Sequence, residues 1–144
     1  MNAELSDAEI RQILSDAQSV AVIGVSSKPD RASHQVAAYL LEQTHFGVYL
    51  INPAHEGDIL GQPVYKTVAD LPVIPDIIDV FRKGDDMPGV WDKESPAILD
   101  HCAGKTWWMQ LGIHNDAVAA HAHKAGMNVV MDRCIKVDYM KLMS

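Results

Sequence analysis

The chain has 144 residues, of which 48% are hydrophobic, and its formal net charge is −7 at pH 7. This length fits a single domain over residues 1–144, and the negative charge argues against general binding to nucleic acid or to anionic membranes. No apolar run approaches the roughly 18 residues of a membrane span, and the acidic start lacks the pattern of a signal peptide. The two cysteines, Cys102 and Cys134, form no C-x-x-C motif. The sequence therefore predicts a cytoplasmic protein in a reducing environment.

The chain is predicted to begin with a short amphipathic helix, followed by a buried strand. Ser6 and Glu9 form an S-x-x-E capping box. Apolar residues then recur at helical spacing, at Ile10, Ile13, Leu14 and Ala17. The run from Val20 to Ile23 has the length and the Val/Ile content of a strand in a parallel sheet. Gly24 ends this strand, and a second helical pattern begins near Ser33.

The polar loop between this strand and the second helix is the clearest candidate for a ligand site. It offers hydroxyl groups and cations, at Ser26, Ser27, Lys28, Arg31 and Ser33. Backbone N–H groups at a helix start are unpaired and carry the positive end of the helix dipole, so they favour an anion such as phosphate. Gly24 has no Cβ and permits a sharp turn or the close approach of a ligand. An ordinary strand-to-helix turn would have the same pattern.

This loop lacks the motifs of two common nucleotide sites. The G-x-G-x-x-G pattern of dinucleotide sites is absent, and the next strand ends in Ile51-Asn52-Pro53 rather than in a carboxylate for a ribose. No Gly-Lys-Ser/Thr follows Gly24, so a P-loop is also disfavoured. The pattern therefore argues against NAD(P).

The rest of the chain alternates between strand-like and helix-like segments. Further strands are predicted at 48–51, 77–81, 106–111 and 128–131, with a loop over 54–64. Helices are predicted from Ser33, from Asp85 or Asp86 with a break at Pro96, from Asn115 to about Ala125, and over 137–142. This alternation predicts an α/β fold of three layers, with a mostly parallel sheet of about five strands and helices on both faces. Ligands of such folds bind outside the carboxyl ends of the strands.

Half of the 12 Lys and Arg residues follow predicted strand ends, which lie at one edge of such a sheet. They are Lys28, Arg31, Arg82, Lys83, Arg133 and Lys136. An acidic protein with this distribution is expected to bind a polyanion at that edge. The alternative is that these cations are only the polar residues that surface loops need.

Other polar residues are interpreted as structural. Asp79 lies inside an apolar strand, where a carboxylate is costly unless paired, so we expect it to bond Arg82, Arg133 or backbone amides. Cys134 follows the last strand and fits a small buried residue better than a catalytic thiol. The histidines lack the spacing of a helical zinc pair and are interpreted as solvated, so no metal site is predicted. Adjacent Trp107 and Trp108 are expected in the core on opposite faces of a strand.

Together these segments resemble the CoA-binding-domain proteins, small cytosolic relatives of the N-terminal domain of the succinyl-CoA synthetase alpha subunit. The matching segments cover nearly the whole chain, each at a strand end. They are 24–31 (GVSSKPDR), 51–53 (INP), 79–82 (DVFR), 108–112 (WMQLG) and 130–134 (VMDRC).

The resemblance implies a Rossmann-like domain that binds the nucleotide cofactor CoA. The loop after the first strand would hold phosphate, with Gly24, Val25, Ser26 and Ser27. The ends of the second, middle and fourth strands would line the adenosine and pantetheine path, with Asn52, Pro53, Phe81, Arg82, Gln110 and Gly112. The synthetases carry a phosphorylated histidine in a later domain, and this chain ends at Ser144, so ligase activity is not expected.

The resulting hypothesis is a CoA- or acyl-CoA-binding protein without catalytic machinery of its own, with a regulatory or carrier role. A protein partner or a homo-oligomer is compatible with it. Two alternatives remain open at the level of sequence. One is a CoA-dependent enzyme that uses Cys134 or Asp79 as its reactive group. The other is an NAD(P)-binding protein.

Overall fold

The computed structural model describes residues 4–143 and shows one six-stranded sheet in which every neighbouring pair of strands is parallel. The strands are β1 (Ser19–Ile23), β2 (Gly47–Ile51), β3 (Val64–Tyr65), β4 (Ile77–Val80), β5 (Thr106–Met109) and β6 (Asn128–Val130). The helices are α1 (Asp7–Asp16), α2 (Ala32–Gln43), α3 (Met87–Glu94), α4 (Asp116–Lys124) and α5 (Ile135–Leu142). Short 3-10 turns cover Val68–Asp70, Gly84–Asp86, Ser95–Ala97 and Leu99–His101.

The strand order is β3-β2-β1-β4-β5-β6, which confirms the predicted Rossmann-like α/β fold. The expected count of about five strands is one too low, because β3 lies at the end of the segment predicted as a loop. β3 has only two residues, which is too short to show a strand period. It pairs with the end of β2, and the Tyr65 carbonyl accepts a hydrogen bond from the Asn52 N–H at 2.9 Å.

Helices cover both faces of the sheet, as predicted. One face packs against α3 and α4, with Trp107 fully buried there. The other packs against α1, α2 and α5, with Trp108 fully buried there. Successive side chains on a strand point to opposite faces, so each of the two adjacent tryptophans packs in a different half of the core.

The helix ends follow the predicted capping chemistry. The Ser6–Glu9 capping box is present at the start of α1. At α4, Asn115 Oδ1 accepts from the Val118 N–H at 3.0 Å. Helix α3 ends at Glu94, and a 3-10 turn that contains Pro96 follows, because proline cannot continue the hydrogen-bond ladder. Among residues 4–143, no helix is long and apolar enough to cross a membrane.

Candidate functional site

The carboxyl end of β1 opens into a cleft at the point where the strand order reverses. The helix that follows β1 and the helix that follows β4 cover opposite faces, so the gap between these strands is the topological switch point. The cleft has a volume of about 380 Å³. It is lined by Gly24, Ser26, Lys28, Arg31, Ala32, Ser33 and Phe81. Six of these seven lining residues are site residues that the sequence predicts, and Ala32 is the seventh.

Side-chain hydrogen bonds hold the loop between β1 and α2 in shape. The Ser26 N–H donates to Ser33 Oγ at 2.9 Å, and the Lys28 N–H donates to Ser26 Oγ at 3.1 Å. The His34 ring lies 2.8 Å from the Ser26 carbonyl through Nδ1, which must carry its proton to donate there. The interpretation of His34 as a solvated histidine is thus wrong for Nδ1, and its position in the first turn of α2 is the one signal that the sequence offers. The loop is therefore held in shape by its own Ser26 and by Ser33 and His34 in the first turn of α2.

The start of α2 is suited to an anion. Its N-cap residue Arg31 makes no side-chain capping bond, and the first turn contains no acidic residue. Within residues 4–143, the N–H groups of Ala32, Ser33 and His34 have no backbone or side-chain acceptor. The side chains of Lys28 and Arg31 are exposed and pair with no carboxylate of the described chain. Two cations and a helix N-terminus thus face the same open cleft.

The backbone conformation and the close packing at position 24 require a glycine. Its φ is +88°, and a Cβ at this position would lie 2.5 Å from the carbonyl oxygen of Phe81. The Gly24 N–H also donates to the Ile51 carbonyl at 2.9 Å, so three strand ends meet at this residue. The close approach that the glycine permits here is therefore that of the β4 backbone.

Other predicted residues on the β1 and β2 side are placed around this cleft. Val25 is fully buried in the core, so its side chain does not face solvent. Asn52 links two loops, since its Nδ2 donates to the Val25 carbonyl at 2.8 Å and its Oδ1 accepts from the Ala54 N–H at 2.9 Å. Ser27 and Pro53 are exposed beside these loops. Asn52 therefore supports the loop after β1 through bonds that its own side chain makes.

The remaining predicted residues lie at the ends of β4 and β5. Arg82 is exposed and forms an ion pair with Asp86 at 3.5 Å, and its Cδ lies against Gly24. Gln110 is only 3% exposed, and its Oε1 accepts from the Ile135 N–H at 3.1 Å. Gly112 has a φ of +82°, and its N–H donates to Asp132 Oδ1 at 2.7 Å. All three residues thus lie at the carboxyl edge of the sheet.

The cations at the carboxyl edge are not equivalent. Arg133 forms two hydrogen bonds with the Asp138 carboxylate and a third with Asp7, each at 2.9 Å, which ties α5 to α1. Lys136 Nζ lies 5.7 Å from the ring centroid of Tyr39. Of the six predicted cations, only Lys28 and Arg31 line the cleft, and Lys83 is exposed outside it. The set of cations at the cleft is therefore smaller than the sequence pattern indicated.

The expectation that Asp79 pairs with Arg82, Arg133 or backbone amides is wrong. Asp79 is fully buried, and both of its carboxyl oxygens lack a hydrogen-bond partner among residues 4–143. Both arginines pair with other carboxylates. Burial raises the pKa of Asp79 well above its ordinary value, so the protonated form is favoured.

Both cysteines are free thiols, Cys102 buried and Cys134 half-buried. Residues 4–143 contain no group of three or more His, Cys, Asp or Glu side chains that could hold a metal ion.

Comparison with known proteins finds one matching family and several similar chains. The family described as CoA binding domain matches residues 18–140. The uncharacterized protein YneT of Bacillus subtilis is 32% identical over 132 residues, which cover 92% of this chain and 93% of YneT. A hypothetical protein from Pyrococcus horikoshii OT3 has a similar structure, with a TM-score of 0.87 and 28% identity over 100% of this chain and 99% of that one.

A larger enzyme contains a similar unit. The dinucleotide-forming acetyl-coenzyme A synthetase 1 of Ca. Korarchaeum cryptofilum, in complex with phosphate and ADP, matches with a TM-score of 0.66 and 26% identity. The match covers 80% of this chain but only 26% of the synthetase chain.

Proposed function

The chain belongs to the CoA-binding domain family, and we propose on this basis that it binds CoA or acyl-CoA at the cleft between the ends of β1 and β4. The observation that carries the proposal is the anion-binding geometry at the switch point. Unpaired N–H groups of α2 and the cations Lys28 and Arg31 face one cleft, and none of its described lining residues is acidic. CoA carries a pyrophosphate and a 3′-phosphate, which are the groups that such a cleft holds.

The rest of the ligand would follow the carboxyl edge of the sheet. We assign the phosphates to Gly24, Val25, Ser26, Ser27, Lys28, Arg31 and Ser33. In this proposal Val25 of the loop and Ser33 of α2 act through their backbone groups, because both side chains are buried. The adenosine and pantetheine groups would pass Asn52, Pro53, Phe81, Arg82, Gln110 and Gly112. Asn52 and Gln110 would act chiefly as supports, since their side-chain oxygens already bond the backbone.

We further propose that the protein is a carrier or a regulatory module of the cytosol rather than a ligase. Asp79 is buried away from the cleft surface, and the cleft lining formed by residues 4–143 contains no histidine. The expected result is no acyl-CoA from ATP, CoA and common carboxylic acids. Acyl-CoA formation in that assay would contradict a purely binding role.

Calorimetric titration tests ligand identity. CoA should bind more tightly than NAD or NADP, because the loop lacks the glycines and the ribose-binding carboxylate of a dinucleotide site. Affinity should fall as salt rises, since the cations of the cleft are exposed. Tighter binding of NAD than of CoA would overturn the proposal. Dephospho-CoA, which lacks the 3′-phosphate, then shows which part of the affinity depends on that group.

A further inference from the structure

His34 joins the first turn of α2 to the loop that lines the cleft. It is the third residue of α2, and its half-buried ring lies 2.8 Å from the Ser26 carbonyl through Nδ1. Ser26 lines the cleft, and its N–H donates to Ser33 Oγ in the same helical turn. Two neighbouring residues of α2 thus hold the N–H and the carbonyl of one cleft residue. His34 does not line the cleft, so it can act on a ligand there through Ser26 and through its charge.

The bond to Ser26 leaves the second nitrogen of the His34 ring available for a proton. A neutral imidazole has one N–H, and here Nδ1 must carry it because a carbonyl can only accept. Nε2 then has a lone pair, and it has no hydrogen-bond partner within residues 4–143. A proton added at Nε2 would therefore give the ring a positive charge without breaking the bond that holds the loop. Histidine is the side chain that ordinarily changes its charge between pH 5 and 8.

The surroundings of His34 favour a bound polyanion as the partner of that charge. The ring forms no ion pair with a carboxylate of residues 4–143, and the first turn of α2 contains no acidic residue. The charged or titratable groups on the segments around the start of α2 are Lys28, Asp30 and Arg31 in the preceding loop, His55 and Glu56 after β2, and Lys136 in α5. Glu56 is paired with Lys66, and Lys136 lies over the ring of Tyr39.

We propose that His34 is a positioning residue of the phosphate site, and that its protonation strengthens CoA binding as the pH falls. The neutral ring already fixes Ser26 for the phosphates. The protonated ring adds a positive charge, one residue away from the cleft, to those of Lys28 and Arg31. The phosphates and the extra proton then favour each other, since the coupling between two binding events is reciprocal. The inference rests on the proposed function, because it places the phosphates of CoA in this cleft.

Calorimetric titration of the full chain with CoA at pH 5.5 and at pH 8 tests the proposal, with His34→Asn as the main variant. The Asn amide N–H can replace the Nδ1–H as a donor, but an amide gains no charge in this range. The 3′-phosphate of CoA titrates near pH 6, but equally for both proteins, so it cancels in the ratio of their affinities. The parent should bind about as tightly as His34→Asn at pH 8. At pH 5.5 it should bind about three- to ten-fold more tightly, as expected for one added charge close to the ligand.

Two further variants separate the positioning role from the effect of charge, and circular dichroism checks that each is folded. His34→Ala removes the bond to Ser26 and should bind CoA about three- to ten-fold more weakly than His34→Asn at pH 8, the usual effect of one lost hydrogen bond. His55→Asn removes a second histidine at the carboxyl edge and should keep the pH dependence of the parent.

The outcomes distinguish this inference from the proposed function. The inference is wrong if the parent and His34→Asn differ equally at both pH values, if His55→Asn loses the pH dependence instead, or if His34→Ala binds like His34→Asn at pH 8. In each of these cases CoA still binds, and the proposed function stands. If the parent binds no CoA at either pH, the proposed function itself fails.

Discussion

A paired aspartate and lysine at the amino end of the parallel sheet contrast with the unpaired cations of the cleft at its carboxyl end. At the amino end, Lys105 Nζ lies 2.7 Å from Asp76 Oδ1, and the Gln18 N–H donates to Asp76 Oδ2 at 2.8 Å. At the carboxyl end, Lys28 and Arg31 face an open cleft and pair with no carboxylate of the described chain. Charges that are satisfied within the chain contribute to stability. Charges that are left without partners at a helix start are available to an outside anion. The following predictions test this division between the two ends.

The largest effect is expected where the carboxyl end depends on close backbone packing. Gly24 and Gly57 have φ values of +88° and +87°, but only at Gly24 would a Cβ meet an atom within 4 Å. Left-handed strain costs about 1–2 kcal/mol at either position, and overpacking adds about 1–3 kcal/mol at Gly24. Gly24→Ala should therefore lower the free energy of unfolding clearly more than Gly57→Ala in urea denaturation. Equal losses would show that the Phe81 backbone moves aside freely.

Asp79, within β4 between the two ends, should make stability depend on pH. Its raised pKa means that the folded state keeps a proton that the unfolded state releases above the ordinary carboxyl pKa. Stability should therefore fall as pH rises from that ordinary value towards the folded pKa, by about 1.4 kcal/mol per pH unit. Asp79→Asn should remove this slope in denaturation series at pH 5, 6 and 7. An unchanged slope in the variant would mean that other groups cause it.

Arg31→Ala tests the open charges of the carboxyl end. A charge-assisted phosphate contact contributes about 1.5–3 kcal/mol, so CoA should bind roughly ten- to hundred-fold more weakly. Arg82→Ala should lose less, because Asp86 already neutralises that guanidinium at 3.5 Å. Lys124→Ala, at the end of α4, is a matched control that should bind like the parent. Parent-like affinity of Arg31→Ala at low salt would mean that the phosphates lie elsewhere.

The smallest effect is expected from the paired charges of the amino end. Burial raises the pKa of Asp76, but the bonds from Lys105 and Gln18 outweigh this, and the net pKa is lowered. Asp76→Asn should thus lower the free energy of unfolding by about 1–2 kcal/mol at pH 7. This difference from the parent should shrink as pH falls through the folded pKa, because the parent then loses the same charge. CoA affinity should not change, and a clear loss of affinity would argue that the two ends are coupled.

The fold could be predicted from the sequence because its signals are local. The Val/Ile runs of β1 and β4, the Ser6 capping box and the proline after α3 each act within a few residues, and each is present as predicted. The two-residue β3 was missed because it has no period of its own. Its pairing depends on β2, which lies earlier in the chain.

The candidate site was less predictable because its supporting bonds join residues far apart in the chain. The Asn52–Val25 bond spans 27 positions, and the Gln110–Ile135 bond spans 25. Sequence order places such residues at strand ends but does not say which atoms meet. For the same reason Asp79 could be identified as unusual, whereas its lack of a partner could not be predicted.

The position of β1 has a consequence for how the chain is made on the ribosome. β1 pairs on one side with β2, which follows soon after it, and on the other side with β4, which is synthesised much later. Until Ile77–Val80 leaves the exit tunnel, this apolar strand has one open edge, and such an edge is where another nascent chain can add. A chain released before β4 is complete would therefore lack the strand that covers this edge of β1. We expect chaperones to bind such a chain.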